Sequence, residues 1–137
     1  MENSKASGDF RLHADFVQVP RFVFDVLLQA PGLPNTYLRV LLFLFRKTLG
    51  WGKSEDYVSL SQISRGAWVG RRDIVAALKF WESLGIIRFL PIGKRHMNRV
   101  ELKNINPDSE ALTSAICDWV DLQAVARREK KKVRLVT

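Results

Sequence analysis

A short capped helix, a four-residue turn and a longer amphipathic helix follow one another between residues 59 and 84, and this succession constrains the fold more than any other feature of the chain. Ser59 and Gln62 stand three apart, the spacing at which each side chain satisfies a free backbone amide of the other, so a short helix is predicted over 60–66 with Ser59 as its cap. Residues 67–70 form the turn. The next helix is predicted over 71–84 and is closed by Gly85, which adopts a left-handed backbone at no steric cost. At 100° per residue, Ile74, Ala77, Leu78, Trp81 and Leu84 gather on one face, the core side. The opposite face carries Arg72, Val75, Ala76, Lys79 and Ser83, with Arg71 at its flank and Asp73 and Glu82 off its centre.

The segments on either side complete the pattern. Phe16-Val17-Gln18-Val19-Pro20 reads as an extended entry, and Phe22, Val23, Val26 and Leu27 recur at helical spacing to give a first short helix. Pro31-Gly32-Leu33-Pro34-Asn35 breaks it. A second helix follows from residue 35 or 36 to 49, with Leu38, Leu41, Leu42 and Phe45 on its buried face, widened by Val40, Phe43 and Leu44. Gly50 is its expected left-handed cap. Residues 57–60 read as a brief strand running into the capped helix. After Gly85, residues 86–90 and 99–103 read as the strands of a hairpin, the second alternating Val100 and Leu102 against Arg99, Glu101 and Lys103. The fold class is therefore mainly α with a small β-hairpin, arranged as a winged helix-turn-helix with an extra C-terminal helix. The expected divisions are a mobile arm at 1–15, the winged domain at 16–104, a helix at 105–128 and a basic tail at 129–137.

Charge narrows the partner. The chain of 137 residues carries a formal net charge of +8. Residues 57–104 hold 9 Lys/Arg against 3 Asp/Glu, and residues 127–137 hold 6 against 1, whereas residues 105–126 hold none against 4. Positive charge gathered in this way points to a polyanion, although a basic surface alone also serves solubility. The single cysteine, Cys117, closes no internal disulfide, and a reduced cytoplasmic setting fits. His13 and His96 stand too far from it to suggest a metal site. The longest apolar run, at residues 40–45, is too short to span a bilayer, so no membrane role is expected. No nucleophile–base pair, carboxylate pair or phosphate-cradling glycine loop is present, so neither an enzyme nor a cofactor is expected.

Within this frame the cationic helix face is shaped for double-stranded DNA. Small residues let a backbone approach, Arg forks onto a guanine edge and Lys reaches phosphate. Arg71 and Arg72 lie where a recognition helix meets base edges. Two cations at a helix N-terminus oppose the helix dipole unless an anion faces them, and that local conflict hints at a site, although a pair of solvated surface arginines is the alternative. Recognition is assigned to Arg71, Arg72, Val75, Ala76 and Lys79. Lys94, Arg95 and His96 at the wing tip, with Arg99 on the following strand, suit phosphate or the minor groove, although a solvated loop accounts for them equally well. Ser59, Ser61 and Arg65 on the preceding helix complete the candidate contacts. Trp68 is expected to pack between the two helices, and Trp51 beneath the bundle.

The run Arg46-Lys47-Thr48-Leu49-Gly50-Trp51-Gly52-Lys53-Ser54-Glu55-Asp56-Tyr57-Val58-Ser59-Leu60-Ser61-Gln62-Ile63 resembles the N-terminal domain of the replication protein O family of lambdoid phages. The entry segment at residues 16–20 is similar too, and the resemblance covers roughly residues 15–90. It implies a winged helix that binds repeated or palindromic origin sites, commonly as a dimer. It also implies recruitment of the helicase machinery through a separate C-terminal part. By position, Arg71, Arg72, Val75 and Lys79 fall on that family's recognition helix. Two departures stand out. The turn reads Arg65-Gly66-Ala67-Trp68-Val69-Gly70 rather than the usual Thr-Gly-Leu-Ser type, and only residues 105–137 follow the wing. The chain is then either a DNA-binding fragment or a stand-alone protein that reuses the domain. Its machinery is that of replication or, in a regulator of a mobile element, transcription. A winged helix that grips a protein partner is the reading from a different class.

Ser109 is the expected cap of the C-terminal helix, whose stripe of Leu112, Ala115, Ile116, Trp119 and Leu122 either docks on its own domain or pairs with a second copy. A two-fold protein reading a palindrome favours a homodimer through Leu112, Ile116, Trp119 and Leu122. The Arg127-Arg128-Glu129-Lys130-Lys131-Lys132 run reads as a mobile tail that adds phosphate affinity.

Overall fold

Pro20 sets the first turn, since a missing amide costs nothing at a helix start. The computed structural model, which describes residues 17–92 and 97–136, winds Val23–Leu27 as a π-helical turn, with the Leu28 amide bonded to the Val23 carbonyl at 2.8 Å. Phe22, Val23, Val26 and Leu27 are buried, as their spacing requires. Gly32 then reverses the chain with φ +85°, and a Cβ placed there would meet Val120 of the C-terminal helix at 2.7 Å. Both the backbone angle and the close approach therefore need glycine.

Helix α1, Asn35–Thr48, is central, and it buries Val40, Leu41, Leu44, Phe45 and Thr48. Its buried face is turned from the expected one, because Leu42 is exposed and Leu38 and Phe43 are only half-buried. The Thr48 hydroxyl donates to the Leu44 carbonyl at 2.7 Å, which satisfies an otherwise buried polar group. A 3₁₀ turn, Leu49–Trp51, follows, and the left-handed residue is Gly52 (φ +68°) rather than Gly50. The chain makes one more tight turn before it reverses, and this carries Trp51 outward to 68% exposure instead of under the bundle.

Strand β1, Glu55–Ser59, leads into helix α2, Leu60–Ala67, and helix α3, Arg71–Ser83, comes after the turn. The capping box forms in full: Ser59 Oγ accepts from the Gln62 amide at 3.1 Å, and Gln62 Oε1 accepts from the Ser59 amide at 2.9 Å. Gly66 lies against the Phe43 ring so closely that any added Cβ would overlap it, which brings α2 down onto α1. Beyond α3, Gly85 has φ +76° and starts the chain back as β2, Ile87–Pro91, and β3, Met97–Leu102.

The expected hairpin is part of a three-stranded antiparallel sheet in the order β1-β3-β2. Strand β3 lies in the middle, with Arg99 opposite Tyr57 on one side and Leu90 on the other. Val58, Ile87 and Val100 turn inward to the core, where they join Phe45, Ile63, Ile74 and Trp81. The result is a mainly α fold of winged-helix type.

Helix α4, Ser109–Val136, begins at Asp108, whose carboxylate accepts from the Ala111 amide at 2.9 Å, so the cap is Asp108 and not Ser109. The helix also runs on through the basic segment, where a tail was expected.

Candidate nucleic-acid interface

The cationic face of α3 is presented outward. Arg71, Arg72, Val75 and Lys79 are exposed and Ala76 is half-buried, while Ile74, Ala77, Leu78, Phe80 and Trp81 face the core. Leu84, expected in the core, is half-buried. Neither acid of α3 forms a salt bridge with its cations among the described residues. Glu82 accepts a 3.1 Å hydrogen bond from the Phe89 amide at the start of the sheet. Asp73 lies by the Tyr37 phenol, whose pKa is raised by burial and then by this negative charge. Among the described residues, Arg65, Arg71, Arg72 and Lys79 enter no salt bridge, whereas Arg21, Lys47, Lys53, Arg99 and Lys103 do. The exposed cations of the helix-turn-helix are thus among those left without an internal counter-charge.

The N-terminus of α3 adds donors of its own. Gly70 caps it without a side chain, so no side-chain acceptor occupies its first amides. Amides, the helix dipole, Arg71 and Arg72 together make a place where an anion is stabilised. On α2, Ser61 and Arg65 are exposed, while the Ser59 hydroxyl is already engaged as a cap.

Sequence reasoning misplaced Trp68. Its side chain is 83% exposed, in the turn between α2 and α3, and its backbone is left-handed with φ +58°. Arg39 Nη1 donates to its carbonyl at 3.4 Å, and its side chain borders a shallow hollow with Ser64, Arg65, Val69 and Gly70. No local signal marks it, since a helix ending in a left-handed residue usually does so on Gly or Asn. A tryptophan there is strained, and it is not repaid by burial.

The wing assignments fare differently. Lys94, Arg95 and His96 lie outside the described residues. Arg99 does not suit a phosphate, because Glu55 at 2.8 Å and Glu101 at 3.0 Å both hold its guanidinium. The bond and charge from Glu55 raise its pKa further. This correction follows from β1, whose pairing brings Glu55 beside β3.

The dimer candidates divide as well. Leu112 and Ile116 are buried in the domain's own core, 4% and 1% exposed, so they are not free for a second copy. The Trp119 ring packs on Phe80 of α3 at 4.8 Å and on Tyr37 of α1 at 5.6 Å. Of the four, only Leu122 is exposed, at 66%. Phe80, which was not assigned to the core of α3, is the residue that receives α4.

No helix among the described residues is long and apolar enough to cross a membrane. Among them, no three His, Cys, Asp or Glu residues are grouped so as to hold a metal. The family model for bacteriophage replication protein O matches residues 11–103, which take in the entry segment, the helix-turn-helix and the sheet. No curated protein and no solved structure matches the chain. The chain belongs to the bacteriophage replication protein O family, which ties it to phage replication.

Proposed function

We propose that the chain is a non-enzymatic origin-binding protein that docks α3 in the major groove of double-stranded DNA and reads its sequence there. The observation that carries this reading is the display of charge on α3: Arg71, Arg72 and Lys79 stand exposed without ion pairs, while Glu82 is engaged by the Phe89 amide at the sheet. Arg72 is assigned to a base edge, Lys79 and Arg65 to phosphates, and Val75 and Ala76 to the close approach of the groove. The uncapped amides of Arg71 and Arg72 favour a phosphate at the helix start. Binding of this kind belongs in the host cytoplasm, where the replicating DNA is. A two-fold copy bound to a palindrome or repeat has Leu122 and Val125, both exposed, as its apolar contacts.

Selection of bound duplexes from a random pool, followed by titration of the best site, tests the reading. Arg72→Ala is expected to lose about 1–3 kcal/mol on that site and to relax preference at one base position. Unchanged affinity and unchanged preference would show that α3 does not enter the groove. Recovery of no duplex by the wild-type protein would rule out DNA binding altogether.

A further inference from the structure

Helix α4 carries one continuous face that changes character along its length. At 100° per residue, Leu112, Ile116, Trp119, Val120 and Gln123 share the side that meets the domain, and Arg127 and Lys130 continue the same side. The first part of this stripe is packed on the entry turn, on Phe80 and beneath Gly32. The second part begins about 12 Å along the axis beyond Trp119, counted at 1.5 Å per residue from residue 119 to 127. All of residues 127–132 are exposed, five are cations and one, Glu129, is an acid. Among the described residues none of these five cations is in a salt bridge.

A helix does not ordinarily continue in this way. Arg127 and Lys131, and Arg128 and Lys132, are like charges four apart, a spacing that weakens an isolated helix. The side chains of residues 127–132 are all exposed, so burial in the domain does not hold this part. A polyanion lying along the inner side would neutralise the cations and stabilise the turns that bear them. The position fits the ligand already proposed. Trp119 packs on Phe80, which follows the exposed Lys79, so α4 is anchored on the recognition helix itself.

Resting on the DNA-binding reading above, we infer that residues 127–132 of α4 form a rigid helical arm whose inner face, Arg127 and Lys130, grips the phosphates of the same duplex that α3 reads. Arg128 and Lys132 lie on the outer face, about 180° away, and take little part.

The test compares two double variants of the full chain, Arg127→Gln with Lys130→Gln and Arg128→Gln with Lys132→Gln. Each is titrated with its selected duplex and with a scrambled duplex across a salt series. Glutamine preserves helix propensity, and circular dichroism checks that the helix persists. Removing the inner pair is expected to reduce the slope of log affinity against log salt by about two, one per phosphate contact, equally on both duplexes. The outer pair is expected to change it by less than one. An unchanged slope for the inner pair, or equal losses for the two pairs, overturns the arm. So does a change in oligomeric state with an unchanged slope, because the cations would then serve a second copy. Failure of this inference alone leaves the wild type binding its site with a preference that Arg72→Ala relaxes. If the wild type binds no duplex, both readings fall together.

Discussion

The indole nitrogen of Trp81 donates a 2.8 Å hydrogen bond to the main-chain oxygen of Tyr37 and so ties the buried side of α3 to the first turn of α1. Trp81 is fully buried, and its ring meets Phe80 edge-on at 4.8 Å. The aromatic cluster continues from Phe80 to Trp119 and Tyr37, so one bond sits at the junction of three helices. The outward side of α3 can present its cations at a fixed angle only if this inward side is held. Trp81→Phe keeps an aromatic ring but loses the donor and part of the volume, and is expected to cost about 1–2 kcal/mol of stability. Trp81→Ala is expected to cost about 3–5 kcal/mol. Urea denaturation checks both, with the midpoint falling and the slope unchanged. A Phe variant as stable as the wild type would mean that the bond contributes nothing to the docking of α3.

The features that were legible in the sequence are those decided within a few residues. The Ser59–Gln62 box, the left-handed Gly85 and the two faces of α3 depend on spacing alone, and each stands where spacing puts it. The misplaced features depend on partners far along the chain. Arg99 reads as a free wing cation until β1 is laid beside β3, 44 residues apart at Glu55 and Arg99, and supplies the carboxylate. Leu112 and Ile116 read as an open stripe until the entry turn is folded beneath them. Periodicity finds an apolar face without saying what covers it. Trp51 and Trp68 show the complementary error: aromatic residues were assigned to the core by type, whereas their left-handed or tightly turned surroundings carry them outward.

Trp68 offers a separation of stability from binding. A left-handed conformation costs an ordinary L-residue roughly 1–2 kcal/mol, and glycine is free of that cost. The side chain is too exposed to recover it by burial. Trp68→Gly is therefore expected to leave stability unchanged or to raise it by up to about 1 kcal/mol, the gain being limited by glycine's greater freedom in the unfolded chain. If the indole lies against the duplex beside Arg65, the same variant weakens DNA binding several-fold. Thermal melting and duplex titration together check this. Retained affinity would place the indole off the DNA, and a loss of more than about 1 kcal/mol would make Trp68 a packing residue after all.

Tyr37 gives the fold a pH dependence of known sign. Its phenol has a pKa raised from the ordinary 10.0, first by burial and then by the charge of Asp73. In the window between 10 and the raised value, the folded chain holds a proton that the unfolded chain has released. Stability therefore falls as pH rises through that window, and this contribution is fully present below pH 10. Tyr37→Phe removes the titrating group while keeping the ring that packs on Phe80 and Trp119. Urea denaturation of both proteins at about pH 8 and about pH 11 isolates the effect, because every other group is common to the two. The wild type is expected to lose more stability over that interval than the variant. Parallel losses would mean that the phenol ionises as freely in the folded chain as in the unfolded one. The packing of Tyr37 against Phe80 and Trp119 would then leave the phenol open to solvent.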